Sequence, residues 1–559
     1  MPQNEICKPM TRTFDRRDNL IIWLLMSIVF SCLVINQSLR QGQLALPPTY
    51  DDIVYFTDAL SRLNILYDHG IKALAENLIE SPPHAPLATL VPLIGFSIFG
   101  VHNWAPPVIN GVFVLFLLIL LDSLAQGVSR AGKILIGMIA LSWPVNGQLV
   151  IECRPDLAWG LITAAFTILS LRKQSKVTSS KKNSIIIGIL IGFSLLAKPS
   201  IFPITLFAAL ASLFVAFVID INQSDFKHRR RSALASNLRC LVVALAIALP
   251  YYVAAHKQIY AYIYEVVFSS NASMWDPNAE LTLADHLSYY LTSASGQIAM
   301  GKWVYAWFLL IAVCTAALLY KKDWRRLASS IPLWCGFVVL YLLVTVPKLK
   351  MNFFGASLYF YILCTFALLV AEVYKALRSS RYGYNMSYTF IIVIALFGVG
   401  QFQWPWYHIS KQTGVLSSEV QYRRSAIESL YNDILQNQKD NRIRNEKPLS
   451  VFFTTSNKFF NSFTLKFYLA KGNVANETRD LYLSDNIPLF IQSINSSDYV
   501  VAFNESNTDT FPWLPSSKIQ GQVLRILRSD PNLRLIRTYT DPYGSNQAFL
   551  FWRERADPK

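Results

Sequence analysis

The chain has 559 residues, of which 53% are hydrophobic and only 15% are charged. Because an average soluble domain carries about 25% charged residues, this composition excludes an ordinary soluble enzyme and a disordered chain. The formal net charge of +16 would suggest a nucleic-acid partner in a soluble protein, but here the basic residues lie between long apolar segments, so we expect none.

Apolar stretches recur between Leu20 and Gln403 and then stop. Their lengths are those that an α-helix needs to cross a hydrocarbon layer of about 30 Å. They predict about eleven transmembrane helices after a short segment, residues 1–19, and together form a transmembrane module over residues 20–404. The predicted spans are 20–39, 107–126, 132–149, 157–172, 184–199, 200–219, 233–253, 303–320, 327–347, 353–374 and 386–404.

Lysine and arginine in the connecting segments predict the orientation. The segments before Leu20 and at 126–133, 172–182, 225–231, 321–326 and 375–381 hold 22 basic residues, whereas the intervening loops hold nine over a greater length. Since cytoplasmic loops carry the excess of basic residues, we expect a cytoplasmic amino terminus in a plasma or inner membrane. An odd number of crossings then places residues 40–106, residues 254–302 and the carboxyl-terminal segment outside.

The apolar run Leu87–Gly100 is too short to count as a twelfth crossing. It has about 14 residues and contains Pro92, and one more crossing would put two basic loops on opposite sides. We expect an interfacial or re-entrant segment.

Residues 405–559 have the composition of a soluble domain. Their pattern predicts an α/β domain with helices at Ser417–Gln438, 458–471 and 519–529. Strands are predicted at Leu449–Thr454, Tyr499–Phe503, Leu533–Tyr539 and Ala548–Trp552. The domain contains no phosphate-binding loop and no nucleophile elbow, so we assign it no chemistry.

Two acidic groups lie on the predicted outer side. Asp51 and Asp52 follow the first span, and Glu152 and Asp156 flank Arg154 before a later helix. Charged groups at a membrane surface are costly, so they mark candidate catalytic or metal-binding positions. A structural role is also open, because Asp52 fits a capping box with Thr49, and Pro155 and Asp156 suit a first helical turn.

Basic side chains at the outer ends of helices form a third group: Lys198, Lys348 and Lys350. They could bind a lipid-linked phosphate, or could extend to phospholipid headgroups. His84 lies in a proline-rich turn, where it could contact a sugar or a metal, although a lone loop histidine is usually neither.

The order of these motifs resembles that of GT-C glycosyltransferases that use polyprenyl-phosphate sugars, such as the aminoarabinose transferases of lipid A and the protein O-mannosyltransferases. The shared features are an acidic pair after the first helix, a His/Pro turn before a segment ending in Phe99-Gly100, Arg154-Pro155-Asp156 entering a helix, and an outer terminal domain. The chain departs from the family at Ala85, where the family usually has proline.

The resemblance implies roles for individual residues. Asp51 corresponds to the loop acid that acts as base, Asp52 to its acidic neighbour, and Asp156 to the second outer acid. Arg154, Lys198, Lys348 and Lys350 correspond to contacts with the donor phosphate, and His84, Glu152 and Tyr55 are candidates for acceptor contacts. Some relatives bind a divalent metal at the acids and others need none, so a metal at Asp51 and Asp156 is open.

The expected fold is therefore an α-helical polytopic membrane protein of GT-C type with a carboxyl-terminal extracytoplasmic α/β domain. The expected function is inverting transfer of a sugar from a polyprenyl-phosphate donor to a hydroxyl of a lipid, glycan or protein acceptor. Two other classes stay open: a polymerase or ligase of lipid-linked glycans, and a lipid or solute transporter or flippase. A transporter usually has repeated halves and charged or broken helices, and we find no internal repeat.

Overall fold

The computed structural model describes residues 16–40, 44, 51–172, 181–222, 226–268, 281–347, 350–378, 383–413, 417–440, 448–457, 460–508, 510–541 and 544–554. Helices dominate the first three quarters of the chain. They are α1 (Arg16–Arg40), α2 (Asp51–Glu80), α3 (Pro86–Phe99), α4 (Ala105–Leu124), α5 (Arg130–Leu141), α6 (Pro144–Ile151), α7 (Pro155–Arg172), α8 (Lys181–Ala197), α9 (Phe202–Asn222), α10 (Phe226–Ile263), α11 (Leu283–Ser288), α12 (Ala294–Met300), α13 (Trp303–Tyr320), α14 (Trp324–Thr345), α15 (Ala356–Arg378) and α16 (Gly383–Thr413).

Helices occupy all eleven predicted span positions, but fewer meet the criteria for crossing a membrane. Among the described residues, six helices are long and apolar enough, and a seventh is added if one bent pair is counted as a single span. The six are Asn19–Arg40, Ala105–Leu124, Pro199–Ile219, Arg231–Ile263, Trp303–Tyr320 and Asn352–Arg378. A polytopic helical protein is thus confirmed, and the number eleven stays a prediction.

The predicted continuous helix at 132–149 is wrong. The chain bends by 71° between α5 and α6. Pro144 lacks an amide hydrogen and disfavours helical backbone at the residue before it, and Trp143 has an extended conformation with ψ of 129°. Mean hydropathy alone could not reveal the break, because the two helices together are apolar enough for one span although Ser142 and Asn146 beside the break are polar.

Small and hydroxyl-bearing residues join the helices of the bundle. Gly188 and Gly192 lie one turn apart on α8, and a Cβ at Gly188 would meet the carbonyl oxygen of Cys240 on α10 at 2.6 Å. Thr163 on α7 and Ser194 on α8 are hydrogen-bonded at 2.7 Å. Such contacts let helices approach closely in a membrane, where apolar surface gives no preference for protein over lipid.

The predicted outer segment 40–106 contains α2 and α3. Gly70, with φ of 80°, turns the chain sharply within α2. The buried guanidinium of Arg62 closes this turn by donating to Asn77 Oδ1 and to the Ser81 carbonyl, each at 2.7 Å. Arg62 also binds both carboxylate oxygens of Asp58, at 3.2 and 3.1 Å.

The carboxyl-terminal domain is an α/β domain, as predicted, and its helices cover a sheet of five strands where four were predicted. Its elements are α17 (Ser417–Asp440), β1 (Leu449–Phe453), α18 (Ser462–Lys471), β2 (Asn476–Asp480), α19 (Ile487–Asn495), β3 (Tyr499–Phe503), α20 (Pro515–Lys518), α21 (Gln520–Ser529), β4 (Leu533–Thr540) and β5 (Gln547–Arg553). The strand order is β2-β1-β3-β5-β4, with β1 parallel to β2 and β3, and β5 antiparallel to β3 and β4. The prediction missed β2 and α19, and α16 continues to Thr413, past the predicted boundary at 404.

The domain packs on α2. Phe467 of α18 is 2% exposed. Its ring lies 6.1 Å from that of Phe56 on α2 and 6.5 Å from that of Phe96 on α3. The hydrophobic cluster around these rings also contains Ile53 and Cys153. The carboxyl-terminal domain therefore holds the start of α2 against the turn that precedes α7.

Candidate active site

The turn between α6 and α7 carries three of the predicted site residues. Asn110 of α4, which is buried, fixes this turn because its amide donates to the carbonyl oxygens of Val150 and Glu152, both at 3.1 Å. Pro155 then starts α7. Glu152, Arg154 and Asp156 are thereby presented from a backbone that is hydrogen-bonded to a neighbouring helix.

Arg154 joins this turn to the first turn of α2. Its Nε lies 3.4 Å from Oδ1 of Asp52 and 3.9 Å from Oε2 of Glu152. The side chains of Asp52 and Arg154 are 10% and 19% exposed. A partly buried pair is screened less by water than a surface pair, so this contact matters more for positioning than an exposed ion pair would.

A second ion pair begins two residues after Arg154 along the chain. The carboxylate of Asp156 binds the ammonium of Lys198, which follows α8 and precedes a single 3-10 turn, Pro199–Ile201. Both side chains are largely buried, at 6% and 12% exposure. The site thus contains two groups of oppositely charged side chains: Asp52 and Glu152 with Arg154, and Asp156 with Lys198.

Two aromatic rings lie beside the two cations. Phe353 and Phe354 lie in a 3-10 turn, Asn352–Gly355, that precedes α15. The Arg154 guanidinium carbon lies 4.4 Å from the centroid of the Phe353 ring, and the Lys198 ammonium lies 4.4 Å from that of Phe354. Sequence reasoning missed both residues, because phenylalanines at the start of an apolar span are usually part of the core.

Lys350 lies near the site but has a different set of contacts. Its ammonium donates to the carbonyl oxygens of Val344, at 3.2 Å, and of Thr345 at the end of α14. It also lies 5.3 Å from the centre of the Tyr290 ring. The ammonium therefore caps the carboxyl end of a helix, where a positive charge is stabilised. Burial lowers the pKa of Lys350 to about 8.

Burial also changes the acidity of Glu152. It raises the pKa of this carboxyl above the usual 4.5, an effect that nearby Arg154 opposes and nearby Asp156 reinforces. A carboxyl with a raised pKa holds its proton at higher pH than an exposed one, and such shifts are common where acids take part in proton transfer.

The remaining predicted residues lie elsewhere or outside the described residues. The side chain of Asp51, Lys348 and the cap residue Thr49 are outside them. His84 is exposed, and its ring lies 4.6 Å from that of Tyr262 on α10. Tyr55 is buried in a small cluster with Ala85 and Ala88.

No metal position is formed by the described residues. Within them, no group of three or more His, Cys, Asp or Glu side chains is placed to hold a metal ion. The carboxylate of Asp156 binds the ammonium of Lys198 instead. A divalent metal at Asp51 and Asp156 stays a prediction.

The contacts among site residues bear on how the chain crosses the membrane. Residues that contact each other lie on the same side of the membrane. An even number of membrane crossings therefore separates Asp52 from Arg154 along the chain. Helix α4 supplies one crossing, and the bent pair α5 and α6 supplies a second if it is counted as a single span. This count supports the prediction that α3 does not cross. Since Phe467 contacts α2, the carboxyl-terminal domain lies on the same side as the acids.

Solved structures match the chain along nearly its whole length. ArnT from Cupriavidus metallidurans in the apo state matches with a TM-score of 0.56 and 10% identity, covering 96% of this chain and 98% of ArnT. This chain has the ArnT fold. ArnT bound to undecaprenyl phosphate matches equally, with a TM-score of 0.56, 11% identity and the same coverage of 96% and 98%. The predicted likeness to GT-C glycosyltransferases is confirmed for the fold.

A third match is more distant than ArnT. The oligosaccharyltransferase of Archaeoglobus fulgidus, in a complex with Zn and sulfate, has a TM-score of 0.45 and 13% identity, covering 86% of this chain and 67% of that protein. No protein-family model and no curated protein matches the sequence.

Proposed function

We propose that this protein is a membrane glycosyltransferase that moves a sugar from a polyprenyl-phosphate donor to a hydroxyl acceptor. The ArnT fold over 96% of the chain supports a GT-C enzyme, and the ArnT structure with undecaprenyl phosphate supports a lipid-phosphate donor. The observation that carries the proposal is the contact of Arg154 with Asp52, beside the pair of Asp156 and Lys198.

The two cations suit the phosphate of such a donor. Arginine and lysine form charge-assisted hydrogen bonds with phosphate oxygens, and both are partly buried here beside apolar helices. In the absence of donor, Asp52 and Asp156 balance their charge. A phosphate that enters would replace the carboxylates as the partner of Arg154 and Lys198. We extend this role to Lys348, and give Lys350 the structural role of capping α14.

The proposed reaction is a single displacement at the anomeric carbon. The acceptor oxygen forms the new bond to this carbon from the face opposite the phosphate, while the bond from carbon to phosphate oxygen breaks. The bonding electron pair leaves with the phosphate, which becomes free polyprenyl phosphate, and the configuration inverts. Arg154 and Lys198 stabilise the charge that develops on the departing phosphate.

We assign the proton transfer to Asp51. Asp52 and Asp156 each bind a cation, so both carboxylates are already engaged in ion pairs. Asp51 precedes Asp52 in the first turn of α2, so its backbone lies next to that of Asp52. The acceptor proton would pass to its carboxylate as the new bond forms. Glu152, which lies 3.9 Å from Arg154 and has a raised pKa, is the second candidate.

The excess of basic residues in the opposite loops supports a site on the extracytoplasmic side. The donor would then reach the site by diffusion within the membrane, and no nucleotide site would be needed.

The proposal is tested with purified protein in lipid nanodiscs. A panel of polyprenyl-monophosphate sugars with labelled pentoses, hexoses and amino sugars is mixed with envelope lipids, glycans and proteins as acceptors. We expect release of polyprenyl phosphate together with label on an acceptor, with inverted anomeric configuration by NMR.

Other outcomes would refute the proposal in different ways. Turnover of only a pyrophosphate-linked donor would favour a glycan polymerase or ligase. Movement of an intact donor across the bilayer without cleavage would favour a flippase. Retained anomeric configuration would contradict the single displacement.

A further inference from the structure

We propose that Phe353 and Phe354 are positioning residues that hold the Arg154 and Lys198 cations for the donor phosphate. This inference rests on the proposed function. It concerns an aromatic pair, defined by these two residues, that the resemblance to known glycosyltransferases did not point to.

The distances from the two cations to the rings of the aromatic pair are those of cation–π interactions. The Arg154 guanidinium carbon lies 4.4 Å from the Phe353 centroid, and the Lys198 ammonium lies 5.8 Å from Phe353 and 4.4 Å from Phe354. The two rings meet edge to face, with centroids 4.9 Å apart and planes at 86°. A cation within about 6 Å of a ring centroid is attracted by the negative face of the ring. Phe353 is therefore shared by both cations.

The 3-10 turn that carries the aromatic pair is tightly packed. A Cβ at Gly355 would lie 2.4 Å from the Tyr359 ring and 2.5 Å from the Tyr290 ring, and one at Gly160 on α7 would lie 2.4 Å from the Cβ of Ala356. Only glycine fits at these two contacts. The 3-10 turn is thus seated directly on α7, the helix that Arg154 and Asp156 precede and begin.

A ring holds a cation in a way that a carboxylate cannot. It attracts the charge through its face and accepts no strong hydrogen bond, so the N–H groups stay available to oxygen ligands. When phosphate replaces Asp156 at Lys198, the ammonium would lose its carboxylate partner but keep its aromatic one. The aromatic pair therefore keeps both cations in place during the exchange of carboxylate for phosphate.

Phe353→Leu and Phe354→Leu test the inference. Both residues are half-buried, so leucine should fold, and Phe353→Tyr and Phe354→Tyr keep the ring. Phe207→Leu, at a residue of α9 that is 58% exposed, is the matched control. The probes are decaprenyl phosphate and its uncharged alcohol, decaprenol, each bound to protein in nanodiscs, and thermal unfolding checks that each variant is folded.

We expect Phe353→Leu to raise the Kd for decaprenyl phosphate about tenfold, with a smaller increase for Phe354→Leu. The Kd for decaprenol should not change, the tyrosine variants should match the wild type, and Phe207→Leu should have no effect. In a transfer assay, the leucine variants should raise the donor KM more than they lower kcat.

The inference is overturned if the wild type prefers the phosphate but Phe353→Leu preserves that preference. Equal loss of phosphate and alcohol binding would also overturn it, because the rings would then contact only the lipid chain. If the wild type itself binds both probes equally, the proposed function fails as well, so the two failures are distinguishable.

Discussion

The Nε of Arg154 lies 3.4 Å from Oδ1 of Asp52, so the turn before α7 and the first turn of α2 meet across the bundle. Arg154→Met removes the charge and leaves the buried carboxylate of Asp52 without this partner. We expect kcat/KM for transfer to fall about 100-fold, the scale seen when one stabilising donor is removed from an active site.

A double-mutant cycle separates the two effects of this change. Asp52→Asn combined with Arg154→Met removes the unpaired carboxylate, so thermal stability should recover while transfer stays low. If transfer recovers as well, Arg154 acts only by neutralising Asp52.

Asp51→Asn tests the proposed base. Loss of a general base lowers kcat by about 10²- to 10⁴-fold, and we expect a loss in this range. Binding of decaprenyl phosphate and the thermal unfolding midpoint should not change. Wild-type turnover by Asp51→Asn at saturating donor would contradict the assignment. Glu152→Gln, measured in the same assay, shows whether the second acid carries the proton instead.

Lys198 and Lys350 should respond differently to the same substitution. Lys198→Met should weaken binding of decaprenyl phosphate strongly, because the ammonium faces the site. Lys350→Met should chiefly lower the free energy of unfolding, by about 1 to 3 kcal/mol, because buried carbonyl oxygens at the end of α14 lose their donor. Equal losses of phosphate binding would show that both lysines contact the donor.

The raised pKa of Glu152 predicts a pH dependence of stability. The folded protein keeps the Glu152 proton at pH values where the unfolded chain, with a pKa near 4.5, has released it. The free energy of unfolding therefore contains a contribution that is complete below pH 4.5 and is lost as the pH rises through the raised pKa.

Glu152→Gln cannot titrate, so its unfolding midpoint should fall less than that of the wild type as the pH rises from 4.5 through the raised pKa. Circular dichroism in detergent measures both midpoints. Parallel curves for the two proteins would contradict a raised pKa at this position.

Much of the helical fold could be predicted from the sequence, because the length of an apolar run fixes where a membrane helix can form. The bend at Pro144 was not predicted, since the segment as a whole stays apolar across it although Ser142 and Asn146 are polar. Strand β2 (Asn476–Asp480) was missed for the opposite reason. It is a polar edge strand whose pairing with β1, rather than its own hydrophobicity, makes it a strand.

The site was predictable where charge stands out against an apolar background. Arg154, Asp156 and Lys198 are such residues, and the structure brings them together. Asn110 and the aromatic pair were missed because their types are ordinary near the end of an apolar helix. The sequence signal that could have identified Asn110 is its polar amide within the first turns of an apolar span.

The closed turn at Gly70 has a consequence for the evolution and engineering of the outer segment. The hydrogen bonds from Arg62 to Asn77 and Ser81 depend on the register of the residues between them. One inserted or deleted residue would rotate the second half of α2 by about 100° and carry these acceptors out of reach. The segment between Arg62 and Ser81 should therefore tolerate substitutions of its exposed side chains but not insertions or deletions, although it lies at the protein surface.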